Sequence, residues 1–173
     1  MWLTHDDRHV RGNVAFVLAR LGDPRGFDTI AAILADRGPR SGGQGIPGGR
    51  WTMPAQIRAD RYYAAHLLGD LKDPRGVALL IPLLNDGDVD DIVPWSLAEI
   101  GDGRAIAPLI AQLDRDDPST RVLTISALAT LKSRAALPRL RALLQDARRS
   151  NFGDRESVAD AARRAIAAIS QRP

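Results

Sequence analysis

The stretch Leu18-Ala-Arg-Leu21-Gly22-Asp23-Pro24-Arg25-Gly26 decides the fold, because it recurs along the chain. Similar stretches begin at Leu68, at Leu97 and, in a more divergent form, at Leu128. The last three copies are spaced by 29 and 31 residues, whereas the first two begin 50 residues apart. A period near 30 residues indicates tandem helical repeats, and the longer first interval indicates an insertion of about 20 residues.

Each copy marks a turn between two helices, a first helix A and a second helix B. Small and apolar residues precede the first turn at helical spacing, namely Val14, Ala15, Leu18 and Leu21, and an apolar stripe follows it. Gly22 suits the left-handed conformation that ends a helix. The next position carries residues that suit the N-cap of helix B, and these are Asp23, Asp73, Asp102 and Ser133.

One such hairpin cannot bury its apolar stripe alone, but stacked hairpins bury a continuous core. The sequence therefore predicts one all-α domain over residues 1–173, a right-handed α-solenoid of about four and a half hairpins. The predicted repeats cover residues 8–36, 54–86, 89–114 and 118–148, with a capping helix over 155–171 and an inserted loop rich in Gly and Arg over 37–53.

These motifs resemble HEAT repeats, specifically the short bacterial type known as the phycobilisome (PBS) lyase HEAT-like repeat. The Leu-Gly-Asp-Pro-Arg turn carries the resemblance, and residues 6–11 and 116–121 resemble the family's Asp-Pro-x-Val-Arg opening of helix A. The resemblance covers residues 5–171 and implies a HEAT-type solenoid. It implies less about function, because the family includes scaffolds, adaptors, bilin lyase subunits and a few enzymes.

Arginines recur at one register of helix A, and these are Arg11, Arg61 and Arg121. In HEAT proteins an arginine at this place commonly pairs with a turn aspartate of a neighbouring repeat. The resemblance therefore implies a structural ladder between these arginines and the turn residues Asp23, Asp73 and Asp102. In the third repeat Asp90 takes the arginine's place, so the ladder changes sign there. Pro94, in the same predicted helix, is expected to bend it.

No pattern in the sequence points to catalysis or to a bound metal. The chain has no cysteine and no Gly-x-Ser-x-Gly nucleophile turn. Some HEAT enzymes hold two irons with His-Glu pairs, but Glu99 and Glu156 are the only glutamates and neither follows a histidine. His5 and His9 lie four residues apart without an evident third ligand, so we interpret them as a solvated pair. We predict no catalytic, metal-binding or cofactor-binding residue, and a protein that is not an enzyme.

Charge is unevenly distributed, although the formal net charge is only +3. Residues 86–117 hold nine acidic side chains against two arginines, and residues 132–173 hold ten basic side chains against four acidic ones. The acidic middle argues against a nucleic-acid partner, although the basic last third would permit one. No run approaches the roughly 18 apolar residues of a membrane span, and no signal pattern opens the chain, so we predict a cytoplasmic protein without membrane contact.

The insertion between the first two repeats is the most unusual segment. Residues 37–51 carry three arginines and a tryptophan but no acidic residue, and loops of this length are usually functional or disordered. One interpretation is a basic arm that closes over an anionic or peptide partner through Arg40, Arg50 and Trp51. The alternative is an insertion without a partner, since ordering its glycines costs conformational entropy.

Two further sets of residues are candidates for partner contact. Phe16, His66, Trp95 and Ser126 share one register on successive A helices, and three ring side chains on an outer face suggest a contact strip. The alternative is that each ring covers a local gap. The stacked B helices are expected to form a concave binding face, with the polar candidates Asp28, Gln112, Arg115, Arg139 and Arg141.

These observations favour a non-catalytic scaffold or adaptor that binds another protein or peptide through its concave face and its basic loop. Two alternatives stay open. Similarity to bilin lyase subunits would imply tetrapyrrole handling on phycobiliproteins, although the preference for Arg over Lys does not point to a cyanobacterial source. An absorbance shift on mixing with bilin would distinguish that alternative. A nucleic-acid-binding HEAT-like protein is the other alternative, and a salt-sensitive gel shift with duplex DNA would reveal it.

Overall fold

The computed structural model describes residues 2–39, 53–151 and 155–171. Within these ranges the chain forms nine α-helices, short 3-10 turns and one isolated β-bridge between Arg149 and Ser157. The helices are α1 (Arg8–Arg20), α2 (Pro24–Ala35), α3 (Met53–Leu71), α4 (Arg75–Leu80), α5 (Val93–Ile100), α6 (Ile106–Gln112), α7 (Pro118–Thr130), α8 (Leu137–Ala142) and α9 (Val158–Ser170). None of the helices in the described ranges is both long and apolar enough to cross a bilayer.

The helices alternate between two layers, as the repeated turn predicts. The A helices α1, α3, α5 and α7 pack side by side in chain order, and α9 completes that row against α7. Each B helix packs on the A-layer helix that follows it, and α2 and α4 also pack on the A helix before them. The predicted all-α solenoid is therefore confirmed.

Apolar residues at matching places in the repeats form the continuous core. Leu68, Leu97 and Leu128, which open three copies of the repeated stretch, are fully buried, and so are Leu80 and Leu109 of the B helices. The first repeat differs, because Leu21 is 77% exposed although its pattern predicts a core position. In the described residues α1 packs on α2, α3 and the 3-10 turn before it, so this end of its apolar stripe lies in solvent.

The A–B turns follow the chemistry that their residue types indicate. Gly22 and Gly101 take the predicted left-handed conformation, with φ of 85° and 77°. The Asp102 carboxylate accepts from the backbone N–H of Arg104, and its hydrogen bonds to Arg104 lower the Asp102 pKa to about 2. Asp23 and Asp73 cap their turns in the same way. Ser133 lies at the N-cap, but its side chain makes no capping hydrogen bond.

The predicted bend at Pro94 is wrong. Helix α5 begins at Val93, so the proline lies in its first turn rather than in its middle. A proline there costs no helical hydrogen bond, because the first N–H groups of a helix have no partner within it.

The arginine ladder exists, but it joins different residues from those expected. Arg61 of α3 is 2% exposed and contacts Asp86 and Asp88 at 2.7 Å each. Arg121 of α7 contacts Asp146 at 2.6 Å. These aspartates follow the B helices. Arg61, in contrast, lies about 15 Å along the helix axis from the A–B turn that follows α3. The expected partners Asp23, Asp73 and Asp102 instead bind, within their own turns, Arg25, Arg75 and Arg104.

The first and third repeats modify this ladder. Arg8, rather than Arg11, contacts Asp36, and the Arg11 guanidinium donates to the His5 carbonyl at 2.7 Å. In the third repeat the two charges are exchanged, because Arg115 lies 3.7 Å from Asp90. The pairs Arg61–Asp86, Asp90–Arg115 and Arg121–Asp146 each span 25 residues. Where Asp90 replaces the arginine of the ladder, Arg115 therefore replaces the aspartate that pairs with it.

The ladder predicts that stability falls in acid. Hydrogen bonds from Arg61 to Asp86 and from Arg148 to Asp146 hold the pKa of each carboxyl below its ordinary value of 3.8. A carboxyl with a lowered folded-state pKa contributes stability above its unfolded pKa and loses it as pH falls. We therefore expect a lower urea midpoint at pH 3 than at pH 6, measured by far-ultraviolet circular dichroism.

Two matched substitutions test this origin of the acid sensitivity. Asp86→Asn should narrow the difference between the two midpoints, because it removes one carboxyl with a lowered pKa. Burial raises the pKa of Asp90, so its contribution has the opposite sign and Asp90→Asn should widen the difference. The same change in both variants would contradict the assignment.

Candidate functional site

The residues predicted to form an aromatic strip differ in their exposure to solvent. Phe16 and Trp95 are half-buried and pack against the core, whereas Ser126 is exposed. The His66 ring lies 4.4 Å from the Trp95 ring at a tilt of 33°, and its Nδ1 lies 3.1 Å from Asp70 Oδ2. The rings thus cover the junction of α3 and α5 in part, and a contact role for this strip stays a prediction.

The polar residues predicted on the B helices are partly occupied by contacts within the chain. Gln112 is buried and donates to Asn85, Arg115 contacts Asp90 and Asn85, and Arg139 pairs with Asp114. Asp28 and Arg141 are exposed. The predicted loop residues Arg40, Arg50 and Trp51 lie outside the described residues. Partner contact through any of these side chains therefore stays a prediction.

A groove between α1 and α3 is lined by a set of side chains that the sequence analysis did not bring together. It has a volume of about 420 Å³ and is lined by His9, Ala55, Arg58, Ala59, Tyr62 and Tyr63. Ala55, Ala59 and Tyr62 follow one face of α3 at spacings of four and three residues. The small side chains of Ala55 and Ala59 leave space beside the aromatic residues of the groove. We refer to these six residues as the α1–α3 groove.

A buried carboxylate orients the histidine of the groove. His9 Nδ1 lies 2.9 Å from Asp60 Oδ1, and the Asp60 side chain is 0% exposed. The other carboxylate oxygen lies 3.4 Å from the Arg8 guanidinium, which also contacts Asp36 and the carbonyl of Gly38. A buried charge is tolerated when it is paired in this way. The carboxylate on Nδ1 holds the imidazole in one orientation.

Aromatic rings form the wall beside this histidine. The His9 and Tyr63 rings are stacked, with centroids 4.9 Å apart and planes 14° apart. The Tyr63 hydroxyl donates to Asn13, which fixes the phenol. Burial, and then the nearby charge of Asp91, raise the pKa of Tyr62 above its ordinary value of 10.0, at which a phenol is already neutral at physiological pH.

Arg58 supplies a cation at the edge of the groove. Its Nε donates to the Asp88 carbonyl at 3.1 Å, and its Nη2 lies 3.5 Å from an Asp91 carboxylate oxygen. The side chain is 52% exposed. The groove therefore combines a flat aromatic wall, an oriented imidazole and a guanidinium, which suits a planar conjugated ligand that carries an acidic group.

The structure adds contacts to the sequence interpretation of the two N-terminal histidines as a solvated pair. The His9 side chain is 44% exposed, but it also contacts Asp60 and stacks on Tyr63. His5 instead stacks loosely on Trp2 at 6.2 Å and accepts from the backbone N–H of Asp7. In the part of the chain that the structure describes, no group of three or more His, Cys, Asp and Glu is arranged to hold a metal ion.

One signal in the sequence could have indicated this site. Asp60 lies four residues before Ala64 and eight before Leu68, which are both buried on the inner stripe of α3. A carboxylate on an apolar stripe requires a buried partner. The identity of that partner has no local signal, because His9 precedes Asp60 by 51 residues.

Comparison with known proteins gives the family and its relatives. The profile of the PBS lyase HEAT-like repeat matches residues 10–36, 60–86, 95–115 and 121–146. The bilin biosynthesis protein PecE of Nostoc sp. strain PCC 7120 is 33% identical over 146 residues, which are 83% of this chain and 53% of that protein. PecE of Mastigocladus laminosus is 32% identical over 82% of this chain and 49% of its own length.

A third relative and one solved structure extend this result. The phycocyanobilin lyase subunit alpha of Synechococcus elongatus is 37% identical over 50% of this chain and 36% of its own length. A chain in the structure of the CpcE–CpcF complex of phycocyanin lyase from Nostoc sp. PCC 7120 superposes with a TM-score of 0.66 and 24% identity. That superposition covers 99% of this chain and 64% of the other, and shows that the two share a fold.

These relatives correct one expectation from the sequence. We predicted a protein that is not an enzyme, but the similar proteins are named for bilin biosynthesis and as a lyase subunit. The expectation failed because it rested on missing motifs for nucleophilic and metal catalysis, and those motifs do not cover every enzyme chemistry. The chain spans about half the length of the two PecE proteins that it matches.

Proposed function

This chain belongs to the family of PBS lyase HEAT-like repeat proteins, and on that premise we propose that it is an enzyme-associated subunit of the bilin lyase type. In this role it binds an open-chain tetrapyrrole and acts together with a second protein. The proposal takes up the alternative that the repeat motifs had left open and sets aside the scaffold without a role in catalysis.

The observation that carries this proposal is the similarity to two bilin biosynthesis proteins. The matches at 33% and 32% identity extend over more than four fifths of this chain, so they cover far more of it than the turns. A match confined to the Asp-Pro-Arg turns would indicate the HEAT architecture alone. The α1–α3 groove adds a physical reason, because its aromatic wall suits a conjugated ligand.

A second protein enters the proposal for two reasons. The similar fold comes from a complex of two different proteins, CpcE and CpcF. Asp28 and Arg141 also lie exposed on the B helices, where the stacked hairpins are expected to present a binding face. Together with Arg40, Arg50 and Trp51, they are the residues that we would substitute first to test association with a partner.

Absorbance spectroscopy tests the proposed function directly. The purified chain is titrated into phycocyanobilin, and we expect the visible absorbance to shift and to saturate as a single class of site fills. Lysozyme at the same concentration shows how much shift an unrelated protein produces. A bilin spectrum that stays unchanged, both with the chain alone and after addition of a phycobiliprotein apo-subunit, would contradict the proposal.

A further inference from the structure

We infer that the α1–α3 groove is the bilin site and that different residues of the groove bind different parts of the ligand. The aromatic side chains bind the conjugated rings, and Arg58 binds a carboxylate side chain of the tetrapyrrole. This inference rests on the proposed function, because it assigns a place and a set of contacts to the ligand proposed there.

The shape of the groove is the first step of the argument. Its volume of about 420 Å³ lies within the range of about 300–1,000 Å³ that is usual for small-molecule sites. Ala55 and Ala59 carry only methyl groups, so a planar ring can approach the α3 backbone closely. Tyr62 stands one turn beyond Ala59 on the same helix face and closes that side.

The rigidity of the opposite wall is the second step. Buried Asp60 holds the His9 imidazole, the imidazole stacks on Tyr63, and the Tyr63 hydroxyl is bound to Asn13. Each of these contacts fixes a ring before any ligand arrives. A wall that is ordered in advance loses little side-chain entropy on binding, which favours affinity for a flat partner.

The charge at the groove edge is the third step. A guanidinium has five N–H donors, and Arg58 directs its Nε to the Asp88 carbonyl and its Nη2 towards Asp91. Its remaining donors suit a planar carboxylate. The charge of Asp91 makes carboxylate binding depend more strongly on Arg58, because without Arg58 it would repel a carboxylate. Tyr62 adds no negative charge, because a phenol is neutral at physiological pH and burial raises its pKa further.

Biliverdin and its dimethyl ester separate the two kinds of contact. They share the conjugated rings, but the ester lacks the ionised carboxylates. We expect the protein to bind biliverdin about tenfold more tightly than the ester, which is the factor that a charge-assisted hydrogen bond typically supplies. Arg58→Gln should weaken biliverdin binding by more than tenfold and leave ester binding unchanged, so that the preference reverses because Asp91 then repels the carboxylates.

Two further variants complete the experiment. Tyr62→Leu should weaken biliverdin and the ester by the same factor, about five- to tenfold, because both stack on the ring. Arg134→Gln removes an exposed arginine from the turn before α8, outside the groove, and should change neither affinity. Thermal melting of each variant shows that it is folded.

The outcomes distinguish this inference from the function on which it rests. Binding of biliverdin with full affinity by both Arg58→Gln and Tyr62→Leu would overturn the groove assignment and leave the proposed function standing. Equal binding of biliverdin and its ester by the unmodified protein would overturn the role of Arg58. If neither ligand nor phycocyanobilin binds the unmodified protein, the proposed function fails, and the groove assignment fails with it.

Discussion

Gly26→Ala is expected to lower the free energy of unfolding by about 3 kcal/mol, at the upper end of the cost of overpacking. A Cβ atom at this position would lie 2.3 Å from the Ala15 carbonyl oxygen, 2.4 Å from the Ala19 nitrogen and 2.9 Å from the Ala19 Cα. All three atoms belong to the backbone of α1, so no side-chain rotation can relieve the overlap. Helices α1 and α2 would have to separate.

The equivalent glycine of the second repeat provides the control. A Cβ on Gly76 would first meet Ile100 Cδ1 at 3.1 Å, the end of a flexible side chain. We expect Gly76→Ala to change the free energy of unfolding by less than about 1 kcal/mol, because alanine also favours the helix by about that amount. Urea unfolding followed by circular dichroism measures both. Similar losses in the two variants would show that the close approach of α1 and α2 is not specific to the first repeat.

Arg61→Ala is the second substitution with a large expected effect, a loss of about 3 kcal/mol in the free energy of unfolding. The guanidinium is buried, and its removal takes from Asp86 its buried cation and leaves it only Arg37, whose side chain is 58% exposed. The Leu34 carbonyl, which accepts from Arg61 Nε at 2.9 Å, also loses its donor. Removing one member of a buried pair costs more than the pair contributes, because the remaining charge stays desolvated.

Arg58→Ala is the matched control for this experiment. Arg58 lies one turn earlier on the same helix and also approaches an aspartate, but half of its side chain is exposed. An exposed pair of this kind contributes about 1 kcal/mol or less. If Arg61→Ala melted within a degree or two of Arg58→Ala, the buried ladder would not be a major source of stability.

Local signals explain the part of the architecture that the sequence predicted. The turn Leu18–Gly26 contains a helix stop, an N-cap and a helix start within nine residues, and each of these depends on neighbours a few residues away. Its recurrence then predicts stacked hairpins, because no single hairpin can bury its stripe. The same local logic misplaced Pro94, whose effect depends on where α5 begins, and α5 begins only after the turns of residues 86–92.

The candidate site was harder to predict for a physical reason. Nothing near His9 in the sequence indicates that its ring lies against Asp60 and Tyr63, since these contacts form only when α1 packs on α3. The arginine ladder was predictable only in part for the same reason. The repeated position on the A helices identified Arg61 and Arg121, but it did not identify the aspartates that they contact 25 residues later. In the first repeat it pointed to Arg11, whereas Arg8 reaches Asp36.

The amino-acid sequence alone was sufficient to establish the hairpins, their stacking and the family, because capping, helical periodicity and repetition are read over short distances. The tertiary structure was needed to determine the partner of each buried charge and the groove between two helices. It also decided that backbone atoms crowd Gly26, whereas a flexible side chain lies beside Gly76. Those outcomes depend on distances between side chains far apart in the chain. Such distances are set by how neighbouring helices pack and leave no trace in the local pattern of residues.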